Sequence, residues 1–380
     1  MLFLLFLIVN FSFLFRYNWD MDRISISQDK RIKAIDSLRT PMEIALLAPL
    51  SKSEQEAICR YREEVDNIIK GKDKRLLAIV GPCSIHDPDA ALEYARKLKV
   101  LSEKVKDQFF VVMRTYFEKP RTVLGWKGLI LDPDMDESYD IDKGIFIARK
   151  LLIDITRIGL PVGCEVLDPI VPQYTDEIMS WSSIGARTTE SQTHRSLASG
   201  LSVAVGFKNS TSGEIDAAIN AAKAASKPAS FIGVRRDGSN AIFRSNGNDS
   251  THLILRGGSD GPNYYEDFVE EAGKTMESLN MNPAIVIDCS HANSRKDYTK
   301  QKRVLRTVLD QVLWGDKYIR GFMLESNLFE GNQKILGDKS SLKYGVSVTD
   351  ACIGWDETER ILLNGAEMLR NTTRGEEAIL

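Results

Sequence analysis

Short apolar runs recur along the chain from about residue 75, and each ends on a charged or metal-capable side chain. RLLAIVGPC stops at Cys83, FFVVMR at Arg114, VGCE at Glu165 and WSSIGAR at Arg187. SVAVGFK stops at Lys208, HLILR at Arg256, AIVIDCSH at His291 and IRGFMLE at Glu325. Runs of this kind read as strands buried on both faces. Between them lie stretches with helical spacing of apolar residues, at 87–105, 142–159, 190–200, 212–226, 264–279, 299–313 and 357–369. Eight such strands alternating with helical stretches predict an α/β fold, a closed (β/α)8 barrel, because each crossover has to cover the sheet to which it returns. In such a barrel the chemistry gathers at the carboxyl ends of the strands.

Three segments depart from this alternation. Residues 22–74 form a polar, helix-leaning arm ahead of a barrel spanning 75–380, a packing element or an interface and regulatory one. Within it, SKSEQEAICRYREEVDNIIKG places Ala57, Ile58, Tyr61, Val65, Ile68 and Ile69 at helical spacing, with Ser53 and Glu56 spaced as a capping box and Gly71 as a stop. Residues 115–142 make a long loop rich in Gly, Pro and Asp, of a length that is usually functional or disordered. Residues 229–251 alternate apolar and polar side chains around Asp237-Gly238 and Asn246-Gly247, which predicts an inserted antiparallel hairpin. Ahead of the arm, residues 1–21 open with MLFLLFLIVNFSFLF. This run is shorter than the roughly 20 residues of a spanning helix and no basic n-region precedes it, so it is read as an extension outside the fold; a membrane anchor is the weaker alternative.

Composition narrows the class. A chain of 380 residues with 43% hydrophobic and 27% charged residues suits one large globular domain with additions. A net charge of −3 argues against nucleic acid as a partner. Five scattered cysteines, Cys59, Cys83, Cys164, Cys289 and Cys352, suit a reducing, cytoplasmic setting better than a disulfide framework.

Two constellations carry chemistry. Cys83, His291 and Glu325 end three different strands and Asp350 follows the last one, a thiol, an imidazole and two carboxylates able to hold a divalent metal. Mn, Fe, Co and Zn all suit so mixed a donor set. Taken singly, each residue also has a plain packing or capping role. Arg114, Lys119, Arg121, Arg187, Lys208 and Arg256 project from the same face. One such cation is ordinarily a surface charge; six aimed at one mouth repel one another unless anions sit there, and guanidinium forks suit phosphate and carboxylate. The run Lys70, Lys72, Lys74 and Arg75 reads instead as solvated.

GPCSIHDP at 81–88, YFEKPRT at 116–122, GWKGLI at 125–130 and IGARTTESQTHR at 184–195 resemble the microbial class I 3-deoxy-arabino-heptulosonate-7-phosphate (DAHP) synthases. GFKN at 206–209, SHANS at 290–294, ESN and EGNQ within 325–333, and YGVSVTDACIGW at 344–355 agree. The resemblance runs from about residue 24 to 370 and implies condensation of phosphoenolpyruvate with erythrose 4-phosphate and water, the first step of the shikimate pathway to aromatic amino acids. It implies a divalent metal on Cys83, His291, Glu325 and Asp350. Phosphoenolpyruvate would be held by Arg114, Lys119, Arg187, Lys208 and Arg256, and the phosphate of erythrose 4-phosphate by Arg121 and Thr122. Lys119 and Glu165 would carry protons.

The resemblance also implies a homo-oligomer, dimer or tetramer, and feedback by an aromatic amino acid. The effector would meet Pro172, Gln173, Leu197, Leu201, Ser202, Phe231 and Gly233, each of which has a simple packing role as its alternative. Gly233 leaves room for a para-hydroxyl, which favours tyrosine. Three other readings compete: a related synthase acting on arabinose 5-phosphate, a non-catalytic aromatic-amino-acid-binding partner of another enzyme, and a metal phosphohydrolase. The KPRT segment and the arm favour the four-carbon sugar; missing ligands would mark a non-catalytic partner; a hydrolase needs a more carboxylate-rich site.

Overall fold

The computed structural model describes residues 29–120, 125–335 and 339–371. Its compact unit begins at Arg39. Eight parallel strands close into a barrel: β1 (Leu76–Gly81), β2 (Phe109–Arg114), β3 (Val162–Val166), β4 (Trp181–Ile184), β5 (Ala204–Lys208), β8 (Thr251–Leu255), β9 (Ile285–Asp288) and β10 (Ile319–Glu325). β1 closes the ring against β10, with Leu77 opposite Gly321 and Gly81 opposite Glu325. The remaining two strands, β6 (Ser230–Val234) and β7 (Asn240–Arg244), pair antiparallel as the expected hairpin, inserted between helix α7 (Asp216–Ala225) and β8. No helix among the described residues is long and apolar enough to cross a membrane.

The apolar strands alternate between two cores. On β1, Leu76, Ala78 and Val80 face the outer helices, while Leu77 and Ile79 enter the barrel interior with Phe110, Val112, Trp181, Val286 and Met323. Burial on both faces is why no polar alternation marks these strands in the sequence. Outside lie α3 (Pro88–Val105), α4 (Ile141–Ile158), α6 (Gln192–Ala198), α7, α8 (Glu266–Ser278), α9 (Gln301–Leu313) and α10 (Trp355–Asn371). The third crossover carries only one helical turn, α5 (Pro172–Thr175), too short to leave a periodic signal.

The arm supplies α1 (Pro41–Leu47) and α2 (Lys52–Ile69). Val65, Ile68 and Ile69 of α2 are fully buried and join the barrel-interior cluster. The capping box is formed by Ser51 and Glu54, two residues earlier than the spacing of Ser53 and Glu56 implies. SKSEQE contains the pattern twice, and only Glu54 is buried where Arg157 can reach it, at 2.9 Å. Gly71 does end the helix, in the left-handed region at φ 71°. Arg75 is not simply solvated: its guanidinium meets Asp73 at 2.6 Å and Glu64 at 2.7 Å.

Candidate active site

All eight side chains that close the apolar runs reach the carboxyl end of the barrel. Arg114, Lys208 and Glu325 are the last residues of their strands; Arg256 directly follows one; Glu165 lies within β3; Cys83, Arg187 and His291 sit in the turns just beyond. At the GPC turn, a Cβ on residue 81 would lie 2.7 Å from the Arg114 carbonyl, so glycine lets β1 and β2 close tightly beneath Cys83.

Cys83, Glu325 and Asp350 each offer a ligand atom, and the three atoms lie within 4.8 Å of one another. Asp350 belongs to a long excursion after β10, zipped back onto the strand end by Ile353 N–H to the Glu325 carbonyl (3.0 Å) and Asn327 N–H to the Ile353 carbonyl (2.9 Å). His291 stands beside this trio rather than inside it, with Nε2 3.9 Å from Glu325 Oε1. Its Nδ1 faces Asp288 Oδ2 at 2.9 Å and Ser290 Oγ at 2.7 Å, which leaves Nε2 turned toward Glu325. A carboxylate behind one ring nitrogen is the arrangement that orients a metal-binding imidazole.

The trio already grips a cation. Lys119 Nζ lies 2.8 Å from Cys83 Sγ and 3.0 Å from Asp350 Oδ2. Burial opposes the ammonium charge, but Cys83, Asp350 and Glu325 outweigh it and raise the Lys119 pKa. Burial and the Glu325 charge push the Cys83 thiol up to about 11. Asp350 moves the other way: the Lys119 ammonium overcomes burial and holds it below the usual carboxylate range. A buried thiol with two carboxylates, with an ammonium held between the thiol and Asp350, is a donor set that fits a divalent metal.

Above the trio opens a cavity of about 720 Å³, lined by Arg114, Lys119, Glu165, Arg187, Lys208, Arg256, His291, Glu325 and Asp350 among others. Arg114 is pinned by the Pro82 and Cys83 carbonyls (3.0 and 3.1 Å) and by Glu325 (3.0 Å). Lys208 is 3.3 Å from Asp288 Oδ2. That oxygen lies at ion-pair distance from both Lys208 and His291 yet accepts no well-aligned hydrogen bond. Burial would raise Asp288, but the charges of His291 and Lys208 hold it well below the usual carboxylate range. Burial lowers Arg256. Lys119 comes from the long 115–142 loop, which doubles back so that Lys119 N–H reaches the Lys127 carbonyl at 2.9 Å. Arg121 and Thr122 lie outside the described residues.

The candidate effector residues fall around the hairpin. Leu197 and Leu201 are buried at the end of α6 and just after it, Ser202 is exposed, and Phe231 stacks on Phe243 with ring centroids 5.6 Å apart. Gly233 lies against the same ring: a Cβ there would sit 2.8 Å from it. Pro172 and Gln173 form the start of α5. The hairpin turn is tied to its surroundings by Met42 N–H to the Arg236 carbonyl (2.8 Å) and by Arg236 to Glu177 (2.8 Å).

Sequence reading assigns no role to Tyr116, Glu118, Asp288 or Ser290, although all four lie inside quoted motifs or strand ends. Glu118 is buried, accepts from Asp168 N–H at 3.3 Å, and is pushed up to about 8 by burial and by the Asp168 charge. Its folded-state proton is therefore held above the usual 4.5, so stability is lost as pH rises from that value through about 8. Glu118→Gln is expected to flatten this decline, as thermal unfolding from pH 5 to 9 will show; equal slopes for both proteins would refute it.

A metal-capable donor cluster under a cation-lined cavity, at the carboxyl face of a (β/α)8 barrel, is the layout of an enzyme site suited to anionic substrates. The chain belongs to the DAHP synthetase I family, whose model matches residues 49–363. It is 51% identical over 325 residues to the Tyr-sensitive phospho-2-dehydro-3-deoxyheptonate aldolase of Escherichia coli K12, covering 86% of this chain and 91% of that one. The Phe-sensitive enzyme of the same organism is 49% identical over 336 residues, with 88% and 95% covered. The solved phospho-2-dehydro-3-deoxyheptonate aldolase of Francisella tularensis superposes with a TM-score of 0.87 at 47% identity, over 89% of this chain and 98% of that one.

Proposed function

We propose that this protein is a 3-deoxy-7-phosphoheptulonate synthase, joining phosphoenolpyruvate, erythrose 4-phosphate and water to give DAHP and inorganic phosphate, the entry to aromatic amino acid synthesis. The observation that carries this reading is the single cavity in which five buried or rim cations face a thiol–carboxylate cluster. Arg187, Lys208 and Arg256 take the phosphate of phosphoenolpyruvate, and Arg114 with Lys119 takes its carboxylate. Holding the enol in place lowers the entropic part of the barrier. Cys83, Glu325 and Asp350, with His291 beside them, would hold the metal; when bound it supplies Lewis-acid polarisation of the aldehyde oxygen. C3 of the enol attacks the aldehyde carbon, and Lys119 delivers a proton to the forming alkoxide oxygen. Water then adds at C2, with Glu165 taking its proton, and the resulting hemiketal phosphate loses inorganic phosphate.

Product analysis tests this. Incubation with phosphoenolpyruvate and erythrose 4-phosphate is expected to yield a seven-carbon keto-acid phosphate and an equimolar amount of phosphate. An eight-carbon product formed faster from arabinose 5-phosphate would favour the related synthase instead.

Feedback by tyrosine at the hairpin belongs to the same reading, with Pro172, Gln173, Leu197, Leu201, Ser202, Phe231 and Gly233 as its contacts. The arm and hairpin are where a second subunit of a homo-oligomer would meet it. Five unpaired cysteines, four of them buried, accord with a reducing cytoplasmic compartment. Gly233→Ser has to displace the Phe243 ring, since its Cβ would lie 2.8 Å from that side chain. The variant is expected to raise the tyrosine concentration for half-inhibition by about tenfold, a usual size for one misfit in a pocket. Initial rates titrated with tyrosine and phenylalanine decide it, and inhibition of the wild type by phenylalanine alone would overturn the tyrosine assignment.

A further inference from the structure

Two of the cations assigned to phosphoenolpyruvate are buried together, each with one carboxylate at ion-pair distance. Arg114 has Glu325 at 3.0 Å and Lys208 has Asp288 at 3.3 Å. Converging like charges repel, and more carboxylates would neutralise the field the substrate needs. The structure answers with an uncharged attractor. Just past β2 the chain sends Tyr116 into the barrel interior, where its ring is 2% exposed and lines the cavity floor. The Arg114 guanidinium carbon lies 3.5 Å from the ring centroid and the Lys208 ammonium 5.7 Å from it. The phenol oxygen is 2.6 Å from Ser183 Oγ on β4, which fixes the ring across the barrel.

We propose that Tyr116 is a positioning residue for phosphoenolpyruvate, its ring holding the Arg114 guanidinium and the Lys208 ammonium in place for the incoming anion. A π face attracts a desolvated cation through its quadrupole while adding no negative charge. The positive field of the cavity therefore stays intact, and the two long side chains lose their freedom before substrate arrives rather than on binding. The proposal rests on the assignment of Arg114 and Lys208 to phosphoenolpyruvate.

Steady-state kinetics on the full chain test it, with KM measured separately for each substrate. Tyr116→Leu is expected to raise KM for phosphoenolpyruvate about tenfold, the loss usual for a desolvated cation–π contact, and to leave KM for erythrose 4-phosphate within about twofold. Tyr116→Phe keeps the ring, so its KM for phosphoenolpyruvate is expected to stay within about threefold of wild type. Because a leucine there can also disturb the fold, a second series places phenylalanine, 4-fluorophenylalanine and 3,4,5-trifluorophenylalanine at 116. KM for phosphoenolpyruvate is expected to climb along this series at constant melting temperature. A flat series, or equal shifts in both KM values for the leucine variant, would contradict the proposal. Lys208→Met is the reference: if it leaves KM for phosphoenolpyruvate unmoved, the assignment of the cations fails, and not merely the role of Tyr116.

Discussion

Replacing Cys83 with alanine is expected to lower turnover by at least about a thousandfold, the equivalent of about 4 kcal/mol of transition-state stabilisation. The thiol is fully buried, belongs to the Cys83–Glu325–Asp350 cluster, and lies 3.5 Å from Asp350 Oδ2 and 2.8 Å from Lys119 Nζ. Its loss removes the softest donor from the site and leaves two carboxylates, one of them held by the Lys119 ammonium. Metal retained after dialysis, measured by elemental analysis, is expected to fall in parallel with turnover. Activity within tenfold of wild type would show that the cluster is not where a metal acts. Burial and the Glu325 charge push the Cys83 thiol up to about 11 even with the Lys119 ammonium 2.8 Å away, so a metal would have to displace its proton.

The second large effect concerns Lys119. Its ammonium is shared between Cys83 Sγ and Asp350 Oδ2 at 2.8 and 3.0 Å, and it also faces the cavity. Lys119→Met preserves length and apolar stem while deleting the charge. We expect a fall in kcat of about 10²- to 10⁴-fold, the usual contribution of a placed general acid, together with a higher KM for phosphoenolpyruvate because a carboxylate contact goes too. A change in KM alone would assign Lys119 to binding and take proton transfer away from it. Without its partner ammonium, Asp350 is also expected to titrate higher, as its pKa is lowered chiefly by Lys119 against the pull of burial.

Much of this architecture is legible in the sequence, for a physical reason. Parallel strands buried on both faces leave apolar runs such as LLAIVG and FFVVMR, and the first polar residue after each run has to emerge at the barrel mouth. That is why Arg114, Lys208 and Glu325 are found where their runs end. The hairpin is visible because its two strands alternate exposed and half-buried positions around Asp237-Gly238. Short elements leave no period: α5 spans four residues and is silent in the sequence. The capping box was ambiguous by two residues because Ser51 and Ser53 each precede a glutamate at the same distance, and only burial against Arg157 separates them.

The site is legible in its residue types but not in its pairings. Three ligand-capable residues can be named from strand ends and Asp350 from the segment after the last strand, yet nothing in the sequence says that Lys119, rather than His291, would lie between Cys83 and Asp350. Nor does it reveal Asp288, which looks like any strand-terminal acid until it is seen behind His291 and Lys208. Tyr116 is hidden for a similar reason, since an aromatic inside a barrel is ordinarily just core. Such roles depend on which side chains meet across the ring, and strand order is what brings β1, β2 and β10 together here.

The central claim is that a metal held at the floor and anions held above it act on one another in a single cavity. It is tested most directly by following phosphoenolpyruvate consumption in chelator-treated, desalted protein given erythrose 4-phosphate, before and after a divalent metal is restored. The account predicts negligible consumption without metal, recovery on addition of one equivalent per chain, and no consumption when the aldose is left out. Full consumption in the metal-free protein, or consumption that ignores the aldose, would contradict it.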